Sequence, residues 1–309
     1  MSLEETLDAV GERMQSLFDG LFISAGAPGL YARTETYERI VQALGALITA
    51  HRPSDAEALA FPPVMSRAHL ERHGYLRNFP NLLGVVSCLC GDERQIRKTV
   101  DQFNAGLDWT PALEASDLVL SPAACFPVYP ITAARGVAPE AGYTFDVSAD
   151  CFRREPSSDI DRLQSFRMRE FVRIGTRDQV LAFRGEWIDR SSSIAERLGL
   201  PHRIDQASDP FFGRGSQILA ASQIGQSLKF ELLVPIRPQA EPTACMSFNY
   251  HQDYFGQCWE INTADGAAAH TACVAFGIDR IGIALFAAHG LDIEAWPTSV
   301  REALGLQPS

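Results

Sequence analysis

The chemistry of this chain is most legible between Cys151 and Thr176, in the run CFRREPSSDIDRLQSFRMREFVRIGT. It reads as two strands joined by a long polar loop. Side chains alternate along a strand, so Cys151, Arg153 and Glu155 would share a face of the first. On the second, Phe166, Met168, Glu170, Val172 and Ile174 fall on one face, with Arg167, Arg169, Phe171 and Arg173 on the other. Glu170 is thus an acid set in an apolar row. A buried carboxylate is costly unless it is protonated or paired, and the plain reading is a salt bridge to a neighbouring arginine. Arg280 stands in the first turn of a hydrophobic helix expected over Ile278–His289. Helix N-termini favour anions, and the guanidinium fork suits phosphate. With Arg153 it offers two cations to one polyphosphate. The chain has neither GxxxxGK[ST] nor a strand–turn–helix GxGxxG, so a nucleotide would be held by arginines. Cys125 lies in PAACFPVYP, where two prolines are expected to hold the backbone rigid and extended. That mount suits a ligand, and equally a buried core thiol.

The elements that must carry these residues need a sizeable core. The 309 residues are 46% hydrophobic, enough for one large domain. A net charge of −11 and a pI near 5.1 argue against a general nucleic-acid binder. Seven cysteines, with no CxxC pair, suit a reducing compartment. The sequence shows no apolar run of membrane-spanning length and no basic-then-apolar leader at Met1, so a soluble cytoplasmic protein is expected, with no membrane partner.

In chain order, Ser2 and Glu5 form a capping box ahead of Leu7, Val10, Met14 and Leu17 at helical spacing. A second helix is predicted from Thr36 to about His51, with Ile40, Leu44 and Leu47 inward. Strands are predicted over Asn81–Cys90, Asp117–Ser121, Lys229–Pro235, Thr243–Tyr250 and Thr271–Phe276. A long amphipathic helix is predicted over Asp178–Leu198, and residues 199–226 read as turns around an aromatic, glycine-rich loop. This pattern predicts an α+β fold, an antiparallel sheet with helices packed on it. We expect a single domain over 1–309, with a short N-terminal helical segment (1–60) and an inserted helix (178–198).

Three stretches carry a resemblance. CFRRE with its polar loop and RMREFVRIG resembles motif 2 of class II aminoacyl-tRNA synthetases, AFGIDRIGIAL resembles motif 3, and FPPVMSRAHLERHGYLRNFP (61–80) resembles the segment around motif 1. Within that class the chain is similar to the zinc-dependent seryl type. Over nearly its whole length, through PAACFPVYP, DPFFGRG, LKFELL and SFNYHQD, it resembles the bacterial amino acid:[carrier protein] ligases. The resemblance implies a class II synthetase-like antiparallel sheet flanked by helices. It implies one zinc ion held by Cys125, Glu170 and Cys273, with a fourth position open for the amine of a small amino acid, glycine ahead of alanine. Glu170 then also counts as a substrate-binding residue.

For ATP the resemblance implies Arg153 on the α-phosphate, Glu155 at the adenine and Arg280 on the γ-phosphate. Arg162 and Leu163 would close over the nucleotide, and Lys229 with Ala244, Cys245, Met246 and Ser247 would complete the site. Mg²⁺ would accompany ATP, although the strand Ala244–Ser247 lacks the carboxylate that a seryl enzyme carries there. The implied product is a thioester on the phosphopantetheine arm of an acyl carrier protein. The segment 61–80 would build a homodimer. Docking of the carrier is assigned to Arg184, Arg190 and Arg197, which could instead be solvated or paired with Asp189 and Glu196. The short N-terminal segment and the acidic balance speak against tRNA. The alternatives are a stand-alone tRNA-charging homologue and a non-catalytic regulatory paralogue; the latter sits badly with the presence of both Arg153 and Arg280.

Overall fold

In the computed structural model, which describes residues 14–238 and 240–306, twelve strands are seen among the described residues. The capping box at Ser2 and Glu5 lies outside those residues. The strands are β1 (Phe22–Ala27), β2 (Leu30–Arg33), β3 (Glu57–Phe61), β4 (Val64–Ser66), β5 (Val85–Leu89), β6 (Leu113–Leu120), β7 (Tyr143–Phe152), β8 (Ser165–Gly175), β9 (Arg203–Gln206), β10 (Lys229–Val234), β11 (Thr243–Tyr250) and β12 (His270–Gly277). The helices used below are α1 (Glu35–Ala50), α2 (Arg67–Arg72), α3 (Glu93–Asn104), α4 (Val128–Ala133), α5 (Arg177–Arg197), α6 (Ser216–Gly225), α7 (Tyr254–Trp259) and α8 (Ile278–His289).

Seven strands form the main sheet in the order β3-β7-β8-β12-β11-β10-β9. All neighbours are antiparallel except β3, which runs parallel to β7. The α+β expectation holds. Period two splits the sheet into two faces, each with its own core. On one, Phe171 of β8 and Phe276 of β12 meet Trp187 of α5, with ring centroids 4.8 and 5.3 Å from Phe171, and α1 and α8 close over the same layer. On the other, Val172, Ile174 and Cys273 pack with Cys125, Tyr129 of α4 and Phe255 of α7. A smaller sheet, β4-β6-β5, packs its own cluster of Met65, Leu70, Tyr75, Leu82 and Val119.

Helix ends follow local chemistry. Thr176 and Gln179 cap α5 reciprocally, two residues ahead of the predicted start at Asp178. Val180, Phe183 and Trp187 are buried, so α5 is a layer of the sheet's core. Three local readings need correction. The first strand of the central hairpin ends at Phe152; Arg153 adds one more rung by donating its N–H to Gln164 O at 2.9 Å, and then Glu155 N–H turns back to Arg153 O at 2.7 Å. Glu155 therefore leaves the alternating row. Cys125 sits in a turn and not an extended stretch, because Pro127 caps α4 and Pro130 occupies its first turn, where a missing N–H costs nothing. Residues 199–226 hold β9 and α6, not turns alone. No side chain caps the start of α6 and its first turn carries no acid, so the usual signal of a helix start is missing.

Candidate active site

Three chain segments converge on one buried cluster. Cys125 comes from the turn before α4, Glu170 from the middle of β8, and Cys273 from the neighbouring β12. In the ladder Glu170 faces Ala275 and Cys273 faces Val172, so the two side chains are diagonal neighbours on one face. One ligand atom from each of the three residues lies within 4.8 Å of the others, and all three residues are buried. The Cys125 N–H donates to Glu170 Oε1 at 3.0 Å. The arginine salt bridge expected for Glu170 does not form among the described residues. Period two puts the hairpin arginines on the opposite face, where Arg167 pairs with Glu38 and Asp279, both at 2.7 Å, and Arg169 with Asp146 at 2.6 Å.

Around Cys273, Asn249 Nδ2 donates to the sulfur at 3.4 Å, and His251 Nε2 lies 3.8 Å from it. The Cys273 sulfur, burial and the Glu170 charge push the Cys125 thiol well up. For Cys273 the adjacent Cys125 thiol favours the thiolate, but burial and Glu170 outweigh it and the net direction is also upward. Two sulfurs and a carboxylate pressed together repel one another as anions and become compatible once a cation sits among them. The donor set suits zinc with one position open.

Arg153 and Arg280 stand toward a common space. Arg153 Nε donates to Pro122 O at 3.1 Å, and its guanidinium lies 5.4 Å above the Phe166 ring. Arg280 reaches Asp161 O at 3.2 Å and Ala244 O at 3.0 Å. Burial lowers the Arg280 pKa, and the charge of Arg153 lowers it further, so the two cations feel each other. Both are braced by carbonyl oxygens, and neither forms an ion pair with a carboxylate among the described residues, which leaves them available to an anion.

No protein-family model matches the chain. It is 59% identical over 304 residues to amino acid–[acyl-carrier-protein] ligase 1 of Bradyrhizobium diazoefficiens, covering 98% of this chain and 93% of that one. It is 58% identical over 293 residues to ligase 2 of the same organism, covering 95% and 88%. The chain belongs to the amino acid–[acyl-carrier-protein] ligases. Its fold is that of class II synthetases: the seryl-tRNA synthetase of M. kandleri, solved with an A. aeolicus tRNASec, superposes with a TM-score of 0.80 at 20% identity. That match covers 96% of this chain and 60% of the synthetase.

In this ligase the remaining expected nucleotide residues are placed unevenly. Glu155 lies close enough to Arg280 for its charge to oppose the lowering of that pKa. Arg162 is exposed on the loop, whereas Leu163 is packed in the helix-side core. Lys229 is held by Asp209 at 2.6 Å and Glu231 at 2.9 Å. Ser247 lies on the site face, but the side chains of Cys245 and Met246 turn into the helix-side core, so only their backbone can face a ligand.

Other site residues escaped the sequence reading. Asp279, next to Arg280, accepts from Arg33, Arg167 and the Tyr37 hydroxyl and ties the start of α8 to β2, β8 and α1. An acid beside the motif 3 arginine was visible in the sequence; its three distant partners were not. Tyr75 buries a hydroxyl with no hydrogen-bond partner among the described residues, near the charges of Arg153, Glu155 and Asp209, and burial above all pushes its pKa up to about 12. Nothing in the sequence separates it from a core tyrosine.

Proposed function

We propose that this ligase activates glycine, with alanine as the weaker substrate, to an aminoacyl-adenylate and passes the aminoacyl group to the phosphopantetheine thiol of a carrier protein. The observation that carries the reading is the juxtaposition of the Cys125, Glu170 and Cys273 cluster with the cation pair Arg153 and Arg280 on one hairpin-based frame. Zinc bound by the three side chains would supply a Lewis-acid seat for the substrate amine. Asn249 and His251 crowd Cys273, which favours the smallest side chains.

The substrate carboxylate attacks the α-phosphate in line, and pyrophosphate leaves. The chain's task is positioning and neutralisation. Arg153 takes the charge that builds on the α-phosphate, Arg280 takes the γ-phosphate, and Glu155 orients the adenine. Mg²⁺ accompanies ATP. Glu231, directly across the ladder from Ser247, offers the carboxylate that β11 lacks, and Lys229 at 2.9 Å would trade partners as the metal arrives. Thiol attack on the adenylate forms the thioester and releases AMP; a thiol near neutral pH needs no strong base for this.

The carrier is best received by α6 and not by α5. Arg184 of α5 is spent on Ser227 O and on the rings of Phe230 and Tyr250, and Arg190 pairs with Glu186. On α6, Ile218 is 75% exposed, with Leu219 and Ile224 also exposed, and Gln223 links the helix to Asp209 and so to Lys229. The unpaired state of all seven cysteines supports a reducing, cytoplasmic setting; among the described residues no helix is long and apolar enough to cross a membrane. The test is ATP–pyrophosphate exchange with each of the twenty amino acids, followed by transfer of labelled glycine to a phosphopantetheinylated carrier or to total tRNA. Exchange with glycine and hydroxylamine-labile label on the carrier are expected. Label on tRNA alone would overturn the acceptor. Ile218→Glu should weaken transfer and leave exchange unchanged.

A further inference from the structure

Tyr129 is buried to 0% exposure in the sheet face that carries the Cys and Glu cluster. It leaves the turn of Cys125 on the first turn of α4, whose entry is fixed by Val128 N–H donating to Cys125 O at 3.0 Å. Its ring is clamped by Phe255, stacked at 3.9 Å between centroids, and by the edge of His73 at 5.8 Å. The ring cannot swing away. Among the described residues its hydroxyl nonetheless has no well-formed hydrogen bond, only a weak interaction with the Cys125 side chain. A buried hydroxyl left unpaired is destabilising, and such groups call for an explanation.

The surroundings supply one. Burial comes first among the causes that raise the phenol pKa, the charges of Cys125, Cys273 and Glu170 follow, and a weak side-chain hydrogen bond with Cys125 comes last, so the oxygen lies beside that sulfur. The two sulfurs are supported unequally. Cys273 has Asn249 at 3.4 Å and His251 at 3.8 Å. Cys125 has its own N–H turned away to Glu170, and Tyr129 is the phenol that stands beside its sulfur. A neutral thiol is a poor acceptor, so the phenol's interaction with Cys125 stays weak in the metal-free protein. A thiolate is a good one.

We infer that Tyr129 is a positioning residue for the metal-bound state, its phenol O–H donating to the Cys125 thiolate as Asn249 donates to Cys273. The inference rests on the zinc reading above. The hydroxyl is weakly engaged in the metal-free protein and fully engaged in the metal-bound one, so part of the binding free energy comes from strengthening that bond. Outer-shell donors of this kind commonly change metal affinity by 10- to 100-fold, about the lower end of which is expected for one hydroxyl on one of three ligands.

Tyr129→Phe tests this, because it keeps the ring and removes the oxygen alone. Zinc affinity is read by competition with a chromophoric chelator, and the sulfur-to-metal absorption band is read in Co²⁺-substituted protein. Thermal melts are recorded with and without zinc. The expected result is a metal-free Tm equal to or above wild type, a zinc Kd raised about 10-fold, and a shifted charge-transfer band. An unchanged Kd and band in a variant that binds zinc would overturn the role of Tyr129 and leave the zinc reading standing. A lower metal-free Tm with unchanged affinity would assign the hydroxyl to the fold instead. Wild-type protein that takes up no zinc would overturn both, and the two failures are thus told apart.

Discussion

Arg153 and Arg280 are the residues on which the nucleotide reading turns, and each is oriented by backbone carbonyls and not by an acid. Truncating either removes a fixed charge from the transition state without stranding a buried carboxylate. Arg153→Ala should therefore lower pyrophosphate exchange by about 10²–10³-fold with little loss of stability. Wild-type exchange in that variant would remove Arg153 from the chemistry. His73 offers a prediction of another kind. It is enclosed by Phe126, Phe255 and Trp259; its Nδ1 accepts from Trp259 Nε1 at 3.3 Å, and its Nε2–H faces Phe126 O at 3.1 Å. Burial holds its pKa down to about 4 from 6.5. The unfolded chain takes the proton first, so the neutral form's contribution is complete above pH 6.5 and is lost as pH falls toward 4. The full span corresponds to about 3 kcal/mol at most. Melts between pH 7.5 and 4 should show a decline that is shallower in His73→Gln. Equal slopes would mean that other groups carry the acid sensitivity.

At the scale of elements, the site depends on how α8 meets the hairpin. Asp279, 1% exposed, receives Arg33 and Arg167, and Tyr37 adds its hydroxyl. Removing the carboxylate leaves Arg33 without an acid partner and Arg167 with Glu38 alone, so Asp279→Ala should cost about 3 kcal/mol of unfolding free energy in denaturant titrations. A loss below 0.5 kcal/mol, roughly the level of an ordinary surface change, would show the clamp to be ornamental. The elements were legible where local rules act alone. Thr243–Tyr250 and Ile278–His289 are apolar runs of strand and helix length, and their bounds agree with the sequence reading. Cys125, Glu170 and Cys273 became a set through the resemblance of their surrounding phrases, since spacings of that size carry no geometry of their own. What the sequence hid is what long-range packing decides: the Asp279 clamp, the two tyrosine hydroxyls without a well-formed bond, and α6, whose start bears no side-chain cap. The face of Glu170 was readable from alternation, but its partner was not, because the same alternation sends Arg167, Arg169 and Arg173 to the other side.

At the scale of the whole molecule, one lobe is left with apolar surface to cover. β5 is the edge of the three-stranded sheet, and most of its side chains are exposed. On α3, Ile96, Val100 and Phe103 lie along one face, and Phe103 is 63% exposed. An open strand edge beside an apolar helix face suits pairing with a second copy, and it invites aggregation if left bare. A homodimer built through residues 61–80 would extend to this lobe, for β4 is a strand of the same small sheet and α2 follows it directly. The lobe also carries Tyr75, whose hydroxyl reaches the charges around Arg153, so an ordered interface would hold one wall of the nucleotide site. Sedimentation at micromolar concentration should give twice the chain mass of 33.9 kDa. Val100→Glu with Phe103→Glu should shift it to the single mass and lower pyrophosphate exchange, while the metal content of the three-ligand cluster stays unchanged. A wild-type monomer that exchanges pyrophosphate at full rate would dismiss the interface and the wall together.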